Sequence, residues 1–182
     1  MYDKLPTELK ENALFCLWRY EERNGKITKV PYQINGCCAD ATQKRTFADF
    51  RLVVNAESDF DGIGMGVFGV YCAIDIDHCV AGGKLTSMAQ DIVDTINSYT
   101  ELSPSGTGIR IIFKALGLCY DKKRYYINNR KIGLEVYVAS MTSRFVTLTG
   151  NAIRECGIEV RTTELMTVLE KYMVKTVKDR KP

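Results

Sequence analysis

Histidine is almost absent, with His78 the only one in 182 residues. One imidazole excludes nucleases of the two-histidine metal class and zinc hydrolases that hold their ion through two histidines. No C-x-x-C pair occurs, and the adjacent Cys37 and Cys38 lack the spacing that ligates structural zinc. No apolar run approaches the roughly 20 residues that span a bilayer, and "MYDKLPTELK" lacks the charged-then-apolar order of a secretory signal. We therefore expect a cytoplasmic protein with no membrane partner. In that compartment the cysteines, odd in number, are expected to be reduced, with Cys16, Cys72, Cys79, Cys119 and Cys156 packed among apolar neighbours. Neither sign of charge dominates, with 25 Lys and Arg against 22 Asp and Glu, and a net +3 does not by itself identify a nucleic-acid partner.

What is present suits one compact α+β domain over residues 1–182, with 46% hydrophobic and 26% charged residues. Apolar residues alternate on both sides of Asn24-Gly25, which predicts a β-hairpin. A helix is expected over 46–55 with Thr46 as its cap, and two strands in "DGIGMGVFGVYCAIDID", weakened by Gly62, Gly64, Gly66 and Gly69. "TSMAQDIVDTINSY" reads as a helix capped by Thr86 or Ser87. A last, basic helix is expected over about 163–178, followed by a frayed tail. Trp18 reads as core.

Three distant segments place a polar group where a strand should be apolar. In "YCAIDIDHCV", Asp75 and Asp77 fall on one face of a strand, with β-carbons about 7 Å apart. Their repulsion alone predicts that alanine at both positions melts no lower than the parent protein in the absence of metal. A divalent cation would remove the repulsion, because Mg²⁺ takes one or two carboxylates together with substrate phosphates. The other reading of D-x-D is a solvated strand end. The second segment, "SPSGTGIRIIF", carries Ser103, Ser105, Gly106, Thr107 and Gly108, which let a backbone approach an anion, followed by Arg110 as a fixed positive fork. A plain hairpin turn with an exposed arginine fits the same residues. The third is Glu135 in "GLEVYV", which could join the aspartates as a third carboxylate for Mg²⁺ or Mn²⁺.

Together these segments resemble the catalytic core of the archaeo-eukaryotic primase superfamily, and within it the phage and plasmid primase-polymerases. The resemblance runs through "LWRYEERNGKITKVPY", "DGIGMGVF", "AIDIDHC", "YTELSPSGTGIRIIF", "GLEVY" and "RFVTLTGN". It implies an RRM-like catalytic sheet packed against a second α/β unit. It also implies a metal-dependent DNA primase and DNA polymerase acting in phage or plasmid replication, in a bacterial host cell. Asp75, Asp77 and Glu135 would be the catalytic metal ligands. Ser103, Ser105, Gly106, Thr107, Gly108, Arg110 and Arg144 would bind the nucleoside triphosphate, with Thr149 or Asn151 near the sugar. Many members carry a histidine where this chain has Arg110, and an arginine, permanently charged and bidentate, holds a phosphate as well.

For a single-stranded DNA template the candidate contacts are Lys29 and the run "YDKKRYYINNRK". There Lys122, Lys123, Arg124, Arg130 and Lys131 interleave with Tyr120, Tyr125 and Tyr126, pairing phosphate contacts with stacking rings. A solubilising hairpin tip fits that run equally well. Relatives often continue into a helicase, so a separate replicative helicase is an expected partner. The alternative to an enzyme is a nucleotide- or nucleic-acid-binding module that keeps the fold and has weakened or lost the chemistry.

Overall fold

The computed structural model describes residues 2–176 and 179. In chain order these form α1 (Thr7–Asn12), the hairpin β1 (Phe15–Arg23) and β2 (Lys26–Tyr32), α2 (Phe50–Asn55), β3 (Gly62–Gly66) and β4 (Tyr71–Ile76). A small hairpin of β5 (Val80–Ala81) and β6 (Lys84–Leu85) precedes α3 (Ser87–Ile96). Then come β7 (Thr100–Leu102), β8 (Ile109–Lys114), β9 (Asn128–Asn129), β10 (Leu134–Tyr137), β11 (Phe145–Leu148) and β12 (Ala152–Arg154). The last helix, α4 (Thr162–Val168), continues as a wider π turn over Leu169–Met173. Among the described residues no helix is long and apolar enough to cross a membrane.

The fold is mixed α+β and is built on two antiparallel sheets. The first has the order β11-β3-β1-β2 and the second β12-β7-β8-β4-β10-β9. Asn24 and Gly25 both take positive φ, 52° and 72°, as a two-residue hairpin turn of the mirror-image type requires. The glycines of β3 have a packing reason. A methyl group at Gly64 would lie 2.9 Å from the Phe145 ring, so bare backbone there lets that ring approach the strand closely. Trp18 is buried as expected, and its indole N–H donates to the carbonyl of Ile63.

Alternation along the second sheet divides its two faces. Ile74 and Ile76 of β4 join Ile109 and Ile111 of β8 against Ile92 and Ile96 of α3 and Leu165 and Leu169 beyond. Each such fully buried aliphatic side chain stabilises by roughly 1.5–3 kcal/mol. Ala73 and Ile112, on the other face, pack with Phe15, Leu17, Ile63 and Met65 of the first sheet. Asp75 follows Ala73 on that same face, where the apolar packing ends.

Several expectations are corrected. The helix expected over 46–55 begins at Phe50, and the Thr46 hydroxyl donates to the carbonyls of Asp40 and Gln43 instead of capping it. Thr86 does cap α3, accepting from the Ala89 N–H at 3.3 Å. The last helix ends at Met173, because Val174 turns extended and bridges Tyr125. Residues 177, 178 and 180–182 of the expected helix end and frayed tail lie outside the described residues. Cys119 is exposed rather than packed. Tyr120 and Tyr125 are buried in the core beside the helices, so they are not free to stack bases.

Candidate active site

A row of charged residues runs straight across the second sheet. Strand register sets Glu101 of β7 opposite Arg110 of β8, Arg110 opposite Asp75 of β4, Asp75 opposite Glu135 of β10, and Glu135 opposite Asn128 of β9. Cross-strand partners share a face, so five polar side chains point the same way. Asp77 follows directly after β4 and adds a sixth at the mouth, where it is exposed.

That row forms one wall of a cleft of about 750 Å³ between the two sheets, to which Asp75, Asp77, Arg110, Glu135 and Tyr137 contribute. The first sheet supplies the opposite wall with Tyr20, Ile27, Lys29, Arg144 and Thr147. Three cations, Lys29, Arg110 and Arg144, therefore share the space with three carboxylates, Asp75, Asp77 and Glu135. Such a mixed lining suits a ligand that is itself an anion carrying a metal ion.

Arg110 is 2% exposed, and its Nη2 donates to Asp75 Oδ2 at 3.2 Å. Its Nε and Nη1, together with Asp75 Oδ1 and Thr147 Oγ1, are buried without a partner. Among the described residues only one other buried side-chain atom is in that state, Arg19 Nε, whose guanidinium is held against the rings of Tyr32 and Phe60. Native proteins pair such groups almost without exception. Four of the five orphaned atoms belong to residues that line this one cleft.

The electrostatics follow from burial. Burial pushes the Asp75 carboxyl up, Arg110 opposes this, and Asp77 adds to it. Burial lowers Lys29, with the Arg110 charge in the same direction and Asp75 and Asp77 against it. Burial, then Asp75 and Glu135, raise the Tyr137 phenol, which stays protonated and donates to Glu135 Oε2 at 2.9 Å. Asn128 Nδ2 donates to the other oxygen of Glu135 at 2.7 Å. Glu135 thus has both oxygens occupied, and among the described residues no three His, Cys, Asp or Glu side chains are grouped to hold a metal. The donors that fit a hard cation are Asp77 and the unpartnered Oδ1 of Asp75.

The turn between β7 and β8 takes a different role from its reading as an open anion cradle. The Ser103 hydroxyl accepts from the Gly108 N–H at 3.1 Å, and the hydroxyls of Ser103, Ser105 and Thr107 link to one another in sequence at 3.0 Å each. The turn lies outside the cleft lining and packs on the backbone after β4. A methyl group at Gly108 would lie 2.6 Å from the Ile76 carbonyl oxygen. Gly106 takes φ +72° in open space.

Of the basic run, Lys122, Lys123, Arg124, Arg130 and Lys131 are exposed in the connection between β8 and β10, away from the cleft lining. Arg124 is paired with Glu170 at 2.7 Å, and Lys131 lies 3.7 Å from Asp179. Of Thr149 and Asn151, the alternatives read as lying near the sugar, Thr149 donates its hydroxyl to the Leu102 carbonyl. Sequence reasoning missed Glu101, Tyr137, Thr147 and Tyr20. Glu101 carried no such signal as Asp75, because its strand is three residues long, lies among polar neighbours in "NSYTELSP" and read as part of a turn.

No protein-family model matches the chain. The chain is 28% identical over 149 residues to the DNA primase-polymerase of Nitratiruptor phage NrS-1. The alignment takes in 78% of this chain and 20% of that protein, so the chain spans about a fifth of the relative's length. The relation is distant and covers most of the chain.

Proposed function

We propose that the protein is a nucleotidyltransferase of the primase-polymerase kind, which aligns a single-stranded DNA template and joins a nucleoside triphosphate to a 3′-hydroxyl. In that reaction the 3′-hydroxyl gives up its proton to solvent, its oxygen bonds the α-phosphorus, the bond from the α-phosphorus to the bridging oxygen breaks, and pyrophosphate leaves. The observation that carries the proposal is the set of four orphaned buried atoms on Asp75, Arg110 and Thr147. A triphosphate would accept from Arg110 Nε and Nη1, with Lys29 and Arg144 adding charge from the other wall. When bound, a Mg²⁺ or Mn²⁺ ion supplies activation of the attacking hydroxyl and neutralisation of the leaving pyrophosphate. Asp75 and Asp77 would hold that ion, and Glu135 would join them on release from Asn128 and Tyr137. The strand–helix–strand–strand order of β4, α3, β7 and β8, with β10 beside β4, supports an RRM-like catalytic sheet. The likeness to a phage primase-polymerase supports the chemistry.

Template-directed incorporation of labelled nucleotide tests the proposal. The wild-type chain yields product, and Asp75→Ala with Asp77→Ala abolishes it. A second reading, a binding module without chemistry, is favoured by the occupied oxygens of Glu135 and the Arg110 ion pair on Asp75. Under it, single-stranded DNA or nucleotide binds and no product forms with any template or metal.

A further inference from the structure

Glu101 is fully buried, and nothing so far gives it a task. It lies in register between Arg110 on one side and Ala152 of β12 on the other. Its carboxylate accepts three hydrogen bonds. The Thr149 N–H donates to Oε1 at 2.8 Å, while the Gly150 N–H and the Tyr99 hydroxyl donate to Oε2 at 3.0 and 2.9 Å. Two of these three donors are main-chain amides at the point where the chain leaves β11 in the first sheet and enters β12 in the second. The crossover is stitched further by Thr149 Oγ1 on the Leu102 carbonyl at 2.8 Å and by the Leu102 N–H on the Asn151 carbonyl at 2.9 Å.

The position of this clamp matters because of what precedes it. Arg144 and Thr147, which line the cleft from the first sheet, sit at most a few residues before the clamped amides. Arg110, which lines it from the second sheet, sits one strand away from the clamp's own residue. Glu101 does not line the cleft, yet its hydrogen bonds tie the chain leaving one wall to the strand beside Arg110 of the other. A buried carboxylate is costly unless fully paired. A glutamine in its place keeps the volume but has one acceptor oxygen for donors that now approach two.

We propose that Glu101 is a positioning residue, which fixes the β11–β12 crossover so that Thr147 and Arg144 stand where one polyphosphate chain reaches them and Arg110 together. The proposal rests on the phosphate-binding reading of the cleft. Its probe is inorganic tripolyphosphate in excess Mg²⁺, titrated calorimetrically against the full chain, which requires no base, sugar or turnover. Thr147→Val is expected to weaken binding about fivefold and Glu101→Gln about tenfold. The double variant is expected to be no worse than about tenfold, because residues acting through one element are non-additive. Ile92→Val, in the core on the far face of the sheet, serves as the control. It lowers the melting temperature and leaves tripolyphosphate affinity at the wild-type value.

Additive losses, about fiftyfold in the double variant, would make Glu101 an ordinary structural residue. So would Glu101→Gln binding as tightly as wild type. If Glu101→Gln does not fold, Tyr99→Phe, which removes one donor from the carboxylate, takes its place in the cycle under the same criteria. A wild-type protein that fails to bind tripolyphosphate removes the phosphate reading itself and the positioning role with it, whereas failure of the cycle alone leaves that reading standing.

Discussion

Arg110 and Asp75 satisfy each other only in part, and that incompleteness decides how each should respond to change. Burial raises the Asp75 carboxyl in spite of the adjacent guanidinium, so desolvation outweighs the attraction. Such a pair stabilises little compared with apolar residues of the same volume, but breaking it leaves one buried charge uncompensated, at a cost of about 3–5 kcal/mol. Repulsion between Asp75 and Asp77 alone predicts no loss of stability on replacing both with alanine. The ion pair, with side chains 3% and 14% exposed, reverses that expectation. Asp75→Ala should lower the urea midpoint by the equivalent of about 3–5 kcal/mol, and adding Arg110→Met should recover most of it. If the double variant is no more stable than Asp75→Ala, Arg110 is not the stranded charge. The same residues have a consequence for binding. A phosphate that accepts from Arg110 Nε and Nη1 offsets the guanidinium charge beside Asp75, so anion and cation should each strengthen the other's binding.

Short turns gave contrasting lessons about what an element's residues declare. Asn24-Gly25 stated its hairpin in the sequence, because a two-residue connection with both φ positive leaves almost no other choice. The helix capped by Thr86 and the glycine-rich strand were equally legible. Thr46 was not, because a hydroxyl that caps a helix and one that closes a turn onto Asp40 look alike without the fold. Glu101 and Thr147 were hidden for a related reason, since their meaning lies in cross-strand register, which a single chain does not write. The serine-rich turn was legible as a turn, whereas the contacts that link its hydroxyls to one another were not. That difference is testable through its glycines. Gly108→Ala forces a methyl group within 2.6 Å of the Ile76 carbonyl oxygen, so the turn or the end of β4 must move. We expect a loss above about 2 kcal/mol, with displacement of Asp77 and weakened nucleotide binding. Gly106→Ala meets open space and bears only the left-handed backbone cost of about 1 kcal/mol. Equal losses in chemical denaturation would refute the close-approach account.

At the scale of the molecule the two sheets each carry half of the site. The first contributes Lys29, Arg144 and Thr147, the second Asp75, Asp77 and Arg110, and the apolar cluster joining the sheets ends where the charged row begins. A ligand gripping both walls therefore bridges the sheets, and its binding energy adds to the stability of the whole fold rather than of one loop. At a free ligand concentration 100 times the dissociation constant the gain is about 2.7 kcal/mol. For a chain of 182 residues that corresponds to a rise in melting temperature of roughly 5–10 °C. Mg²⁺ with a nucleoside triphosphate should produce this rise in the wild-type protein, and Mg²⁺ alone a smaller one. Asp75→Ala, lacking the unpartnered oxygen, should lose the response to the metal. Arg144→Ala, on the opposite wall, should lose part of the response to the triphosphate while keeping that to Mg²⁺. If both variants shift as far as wild type in a thermal melt, the ligand is bound elsewhere, and the orphaned atoms of the cleft do not mark its seat.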